Sequence, residues 1–214
     1  SVPTANINTV THLDISATYE LLKNAHGLLY RQEGPKIADL TGISDFTALT
    51  YLKCSKNQLT SLDVSQNTAL DTLYCEENQL TSLDVSANTA LILLNCGENQ
   101  LTSLDVSNAS ALSLLDCSYN QITSLNVSNN PALMGLACYN NQLTSLNVSN
   151  NTALAELYCD NNNLTSLDVS GATALQAVKC ENNQLTSLDF SNNPAIVELA
   201  CHNNQLTSLD LRSG

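Results

Sequence analysis

The chain has 214 residues and a formal net charge of −13, with 7 Lys and Arg against 20 Asp and Glu. Aromatics make up 4% and Trp is absent, so a core has to be built from Leu, Val, Cys and Ala. Residues 57 to 178 hold eleven carboxylates and no Lys or Arg, a surface that repels nucleic-acid phosphates and lacks the basic cluster of an electrostatic membrane contact, and no apolar run approaches the length of a membrane span.

Residues 1 to 48 are expected to form an N-terminal cap with a partial repeat. Val10 to Ile15 alternates apolar and polar residues like the strand half of a repeating unit, and Ile37 to Phe46 reads as its return half. Between them, 17–36 is an insertion. Thr18 is placed to cap a short helix running to His26, stopped by Gly27 and then by Gly34 and Pro35. That insertion either shields the first repeat, as solenoid ends require, or projects toward a ligand through Tyr19 and Tyr30. No signal peptide stands in Ser1 to Asn8, and the run after Leu209 leaves the repeat without a polar cap, so a C-terminally truncated fragment is expected.

From residue 49 to 214 one unit recurs. Cys54, Cys75, Cys96, Cys117, Cys138, Cys159, Cys180 and Cys201 are spaced 21 residues apart. The first copy places Leu49, Leu52, Cys54, Asn57, Leu59, Leu62, Val64, Ser65 and Asn67, and the second repeats that frame from Leu70 to Asn88. L-x-x-L-x-C-x-x-N-x-L is the leucine-rich-repeat pattern in a 21-residue form. The fold class is therefore a right-handed leucine-rich-repeat solenoid of about eight copies, α/β by convention. Leu49, Leu52 and Cys54 enter the core along a short strand, and successive strands lie parallel at about 4.8 Å. About ten residues remain for the return path, too few for a well-packed helix. Leu62 and Val64 should close the other side in an extended or 3₁₀ segment, giving a shallow arc.

Each ladder has a structural reading. Cysteines on adjacent parallel strands cannot turn their Cβ atoms toward each other at the ~3.5–4.5 Å a disulfide needs, and no C-x₂-C pair offers a metal site. A column of reduced, buried thiols is expected. Asn57, Asn78, Asn99, Asn120, Asn141, Asn162, Asn183 and Asn204 stand where the chain leaves the strand, and their amides should satisfy backbone groups of stacked turns. Asp63, Asp84, Asp105, Asp168, Asp189 and Asp210 share a column with Asn126 and Asn147. One carboxylate per turn beside Leu and Val falls short of the roughly six to eight oxygens Ca²⁺ takes. These aspartates are read as acceptors for the local turn backbone or for the Thr and Ser hydroxyls just before them. The Thr60-to-Thr207 column abuts Ser at a turn, and so departs from the T-x-T pairs of ice-binding surfaces. No metal or cofactor is expected.

The cysteine column and the phrase N-Q-L-T-S-L-D-V-S-x-N-T-A resemble the cysteine-ladder repeats of bacterial internalin J-like surface proteins and of Bacteroidetes surface proteins. The stretch I-A-D-L-T-G-I from Ile37 to Ile43 is similar to a turn of internalin-type repeats. The likeness covers 37 to 214 closely. It implies an exported protein, extracellular or on the bacterial cell surface, with an adhesin-like role.

The columns that vary between copies point to function. Five of the seven tyrosines, Tyr51, Tyr74, Tyr119, Tyr139 and Tyr158, fall on the outward face of the strands and the positions just after Cys, and Tyr is enriched at interfaces. With Leu93 and Leu114, read as exposed, and Glu76, Asn95, Glu98, Asp116, Glu156 and Asp160, they form the candidate ligand-binding face. β-surface positions accept Tyr by propensity as well. The expected partner is a protein with a basic patch, recognised by a monomer; a glycan stacked on Tyr is the alternative. An apolar patch with a charged rim would favour protein, and a nearly neutral pocket with paired aromatics would favour glycan. Catalysis is not expected. His12, His26 and His202 lie far apart in the repeat order, and Glu156 with Asp160 is a carboxylate pair on an open face, without a cleft.

Overall fold

The computed structural model describes residues 9–17, the backbone of 19–23 and 29–33, and residues 34–212. Strand β1 (His12–Asp14) is followed by β2 (Tyr19–Lys23) and β3 (Leu29–Glu33), then by a 3₁₀ turn, Ile43–Asp45. Each later copy opens with a three-residue strand: β4 (Tyr51–Lys53), β5 (Thr72–Tyr74), β6 (Leu93–Asn95), β7 (Leu114–Asp116) and β8 (Gly135–Ala137). From there a second strand per copy joins the series: β9 (Ser145–Asn147), β10 (Glu156–Tyr158), β11 (Ser166–Asp168), β12 (Ala177–Lys179), β13 (Ser187–Asp189), β14 (Glu198–Ala200) and β15 (Ser208–Asp210).

Nine of these strands make one parallel sheet in the order β1-β4-β5-β6-β7-β8-β10-β12-β14. The register never slips. Leu13, Leu52, Leu73, Leu94, Leu115, Leu136, Leu157, Val178 and Leu199 stand in line; from Leu52 on, a constant period of 21 returns every residue to the same height. The central residue of each strand points inward. With the preceding Leu and following Cys it forms a continuous core reaching to Leu188 and Phe190. Burying such a Leu stabilises by about 1.5–3 kcal/mol.

On the return side Val64, Val85, Val106 and Val127 are buried. The S-L-D-V stretch there is extended, and in the later copies it pairs as β9 with β11 and β13 with β15. Among the described residues the 3₁₀ form appears at Ile43–Asp45, entered through Gly42 at φ 94°. That sign of φ suits a residue without Cβ.

Two expectations need correction. Of the helix expected over 18–26, the described stretch Tyr19–Lys23 is a strand instead. Tyr19–Lys23 pairs antiparallel with Leu29–Glu33, Tyr19 opposite Glu33 and Lys23 opposite Leu29. A lone helix of that length is marginal because its nucleus is costly, whereas the hairpin satisfies its backbone groups across two strands. Thr18, His26 and Gly27 lie outside the described residues. The second correction concerns the thiols. All eight cysteines are free and seven are buried, but Cys201 is half-exposed because β14 is the last strand of the sheet.

Both polar ladders close the turns. Asn78 donates its amide to the Cys54 carbonyl of the preceding coil at 3.0 Å and to Cys75 and Glu76 of its own. Its oxygen accepts the Leu59 N–H at 3.0 Å. The same set recurs at Asn99, Asn120, Asn141, Asn162 and Asn183. On the return side the Asp63, Asp84, Asp105, Asp168 and Asp189 carboxylates each accept the N–H two residues on, at 2.9–3.0 Å. Backbone and hydroxyl bonds from Ser65, Ser86, Ser107 and Ser191 hold Asp63, Asp84, Asp105 and Asp189 below the usual carboxylate range. The backbone half of the turn-acceptor reading stands, but the hydroxyl partner is the serine two residues after the Asp rather than the Thr and Ser before it, because the turn folds that serine back over the carboxylate.

A second Asn column carries weight that its sequence position did not signal. Asn67, Asn88, Asn130, Asn151 and Asn193 are buried. Asn88 donates to the Val64 and Asn67 carbonyls at 3.1 and 2.9 Å, and Asn130 to Val106 and Ala109. Ala109 and Ala172 occupy the same column.

Candidate functional site

The outward faces of β5 to β10 are set by two columns, one on each side of the buried Leu. In the first stand Thr72, Leu93, Leu114, Gly135 and Glu156; in the second, Tyr74, Asn95, Asp116, Ala137 and Tyr158. The smallest pair, Gly135 and Ala137, sits on β8 between larger neighbours, so the sheet surface dips there. The result is a depression of about 230 Å³ bounded by Tyr74 and Tyr158, with Leu93 and Leu114 in its apolar wall and Asn95, Asp116 and Glu156 at its edge.

Seven of the thirteen candidate residues line this depression: Tyr74, Leu93, Asn95, Leu114, Asp116, Glu156 and Tyr158. Leu114 is 47% exposed. Leu93, read as exposed, is half-buried; Leu114 covers one side of it from the adjacent strand. Asp116 is fixed by the Ser118 N–H and hydroxyl at 2.9 and 2.6 Å. The Tyr158 hydroxyl donates to Glu156 at 3.2 Å, and Lys179 stands 5.1 Å over the Tyr158 ring while pairing with Glu198. Burial, and then the Glu156 charge, push the Tyr158 phenol up from its ordinary value.

The other six lie elsewhere. Tyr51 tilts against Tyr74 with centroids 5.9 Å apart and stacks on His12 at 5.6 Å. Tyr119 and Tyr139 do not line the depression; they follow Cys rather than precede it, and meet edge-to-face at 5.3 Å. Glu98 is exposed on the same turn series. Asp160 accepts the Asn161 amide at 2.6 Å, and burial raises its pKa. Glu76 belongs to a separate polar depression beside β1 and β4.

Two features escaped the sequence reading. Gly135 and Ala137 create the dip, and their signal was the loss of size in both columns of one copy. The second residue after each Cys has positive φ: Lys56, Glu77, Glu98, Tyr119, Asn140, Asn161, Asn182 and Asn203 range from 51° to 61°. The run of Asn in the last four copies was the trace of that left-handed conformation, which Asn tolerates best after Gly. Among the described residues no group of three His, Cys, Asp or Glu side chains is placed to hold a metal ion, and no helix is long and apolar enough to cross a membrane.

Parallel coils of 21 residues with an inward Leu–Leu–Cys strand define a leucine-rich-repeat solenoid carrying a cysteine ladder. The chain is similar to several solved structures. The functional domain of InlJ from Listeria monocytogenes, which includes a cysteine ladder, is 32% identical over 97% of this chain and 54% of that one, with a TM-score of 0.48. A leucine-rich-repeat protein of Leptospira interrogans is 30% identical with a TM-score of 0.72, covering 77% of this chain and 46% of that one. The leucine-rich effector YopM of Yersinia pestis is 29% identical with a TM-score of 0.68, covering 78% and 47%. The chain thus spans about half the length of these neighbours. No protein-family profile matches it, and no curated protein matches it.

Proposed function

We propose that the chain is a non-catalytic, adhesin-like binding module of a bacterial surface or secreted protein, and that the strand face from β5 to β10 takes a protein partner. The observation that carries this reading is the apolar depression of about 230 Å³ with Asp116 and Glu156 on its edge, in a stretch from 57 to 178 without Lys or Arg. An apolar hollow desolvates one anchoring side chain, which is how interfaces concentrate their energy. The carboxylates around it favour Lys or Arg beside that anchor and speed encounter at low salt.

The test uses peptides with one Leu, Met or Phe flanked by Lys or Arg, read by fluorescence anisotropy. Binding should weaken as salt rises, and Leu114→Lys should reduce it at least tenfold while leaving the fold intact. Equal binding of acidic-flanked peptides, or indifference to Leu114→Lys, would sink the reading.

A further inference from the structure

A second depression, separate from the apolar one, lies at the amino-terminal end of the same sheet. It measures about 390 Å³ and is lined by Asp14, Ser16, Lys53, Ser55, Lys56 and Glu76, a volume near the lower end of the ~300–1,000 Å³ usual for ligand sites. Ser16 and Ser55 are held level by the register of β1 on β4, and Glu76 occupies the same place one coil further on.

Three buried polar atoms here have no partner: the Ser16 and Ser55 hydroxyls and one Glu76 carboxylate oxygen. The Ser55 side chain belongs to a residue 1% exposed. Ser118, in the same repeat position, shows what is missing. Its hydroxyl donates to Asp116 at 2.6 Å, two residues before it, whereas the residue two before Ser55 is Lys53, which cannot accept. Buried polar groups left unpaired cost about 1–3 kcal/mol each, so a cluster of them facing one hollow implies an occupant that supplies the bonds.

The chemistry narrows that occupant. Lys56 is taken by Glu77, which leaves Asp14 and Glu76 facing Lys53, so the hollow offers no attraction to an anion. Asp14 already accepts the Ser16 N–H at 3.0 Å, and Lys56 pairs with Glu77 at 3.1 Å. What remains open is two hydroxyls that both donate and accept, a carboxylate oxygen that needs a donor, and the Lys53 ammonium that needs acceptors. Neighbouring hydroxyls on one neutral ring meet all four without burying a new charge. From this geometry we infer that the Ser16–Ser55–Glu76 hollow is a binding site for one neutral sugar residue of a glycan.

The experiment is saturation-transfer NMR of the full chain with the methyl glycosides of glucose, galactose, mannose and N-acetylglucosamine, with glycine and glutamate as zwitterionic controls. At least one glycoside should bind, on the order of millimolar as expected for so small a ligand. Ser55→Ala and Glu76→Gln should each weaken it at least tenfold. Ser55→Ala should leave the melting temperature unchanged or higher, because it deletes an unpaired buried hydroxyl; a merely structural Ser55 would lower it. Leu114→Lys should leave sugar binding intact, so failure of the apolar site does not touch this one. The inference is overturned if no glycoside binds, if Ser55→Ala and Glu76→Gln bind as well as the parent, or if glycine or glutamate displaces the sugar.

Discussion

Leu114 and Gly135 are register partners on adjacent strands, and a Cβ added at 135 would stand 2.9 Å from the Leu114 Cδ2. The hollow between them exists because residue 135 has no side chain. The neighbouring atom is the end of a flexible leucine, so a larger residue at 135 can be admitted by a rotation of Leu114.

Gly135→Leu should therefore fill the apolar depression without disturbing the coil. We expect the urea midpoint to change little, by the equivalent of about 1 kcal/mol or less, since the site is half-exposed and overpacking there relaxes into solvent. Affinity for basic-flanked apolar peptides should fall at least tenfold. Retained affinity in a folded Gly135→Leu protein would place the binding face elsewhere.

The two asparagine columns should respond differently to the same change. Asn120→Ala leaves the Leu101 N–H without an acceptor and takes one of two donors from each of the Cys96, Cys117 and Ser118 carbonyls, which should cost about 2–3 kcal/mol. Asn130→Ala takes one of two donors from the Val106 and Ala109 carbonyls, which keep the Ala109 and Leu112 N–H groups, and removes an amide oxygen that is buried without a partner. The chain already accepts Ala109 and Ala172 in that column. We expect about 1 kcal/mol there. Equal losses in urea denaturation would refute this ranking of the two ladders.

Much of this architecture was legible because a 21-residue period leaves one stacking solution: the inward Leu–Leu–Cys strand, the free thiols and the Asn57-type ladder all follow from position in the repeat. What the period cannot reveal lies where the repeat is broken. Tyr19 to Glu33 belongs to no copy, and its local pattern of Glu20, Leu21, Leu22 and Lys23 suits a helix as well as the hairpin it forms, since pairing with Leu29–Glu33 is non-local. The binding face was legible as a set of columns but not as a shape. Which tyrosines share a hollow depends on whether they precede Cys, like Tyr74 and Tyr158, or follow it, like Tyr119 and Tyr139. The decisive residues, Gly135 and Ser55, carry no conspicuous chemistry until their neighbours are known.

The thiol column makes the fold sensitive to alkali. Burial pushes Cys54 and Cys180 up to about 12 from an ordinary value near 9.0, and raises Cys75, Cys96, Cys138 and Cys159 well above it. The folded thiols stay protonated while unfolded ones ionise, so their contribution is full below pH 9 and is lost as pH rises toward 12. Each thiol adds up to about 1.4 kcal/mol per pH unit to that slope. The melting temperature should drop between pH 8 and pH 10, and less so in a Cys96→Ala, Cys117→Ala variant. An unchanged slope in that variant would dissociate the cysteines from the effect. In native labelling, Cys201 should react first.

The strained turn after each Cys allows the tyrosine pair to be weighed against the backbone. Glu98 and Tyr119 hold φ of 52° and 51°, a conformation that costs a residue with a Cβ about 1–2 kcal/mol and costs Asn less. Glu98→Asn should accordingly raise stability by about 0.5–1 kcal/mol. Tyr119→Asn gains the same backbone relief but loses the edge-to-face contact with Tyr139, centroids 5.3 Å apart, which is worth about 0.5–1.5 kcal/mol. Its net effect should be near zero or slightly destabilising. The difference between the two variants, read from urea midpoints, measures the ring contact. In a Tyr139→Ala background, Tyr119→Asn should recover the full gain of Glu98→Asn. A Tyr119→Asn protein stabilised as much as Glu98→Asn in the parent would mean that the pair adds nothing to the fold. If that variant also bound the basic-flanked peptides unchanged, Tyr119 and Tyr139 would be excluded from the binding face as well.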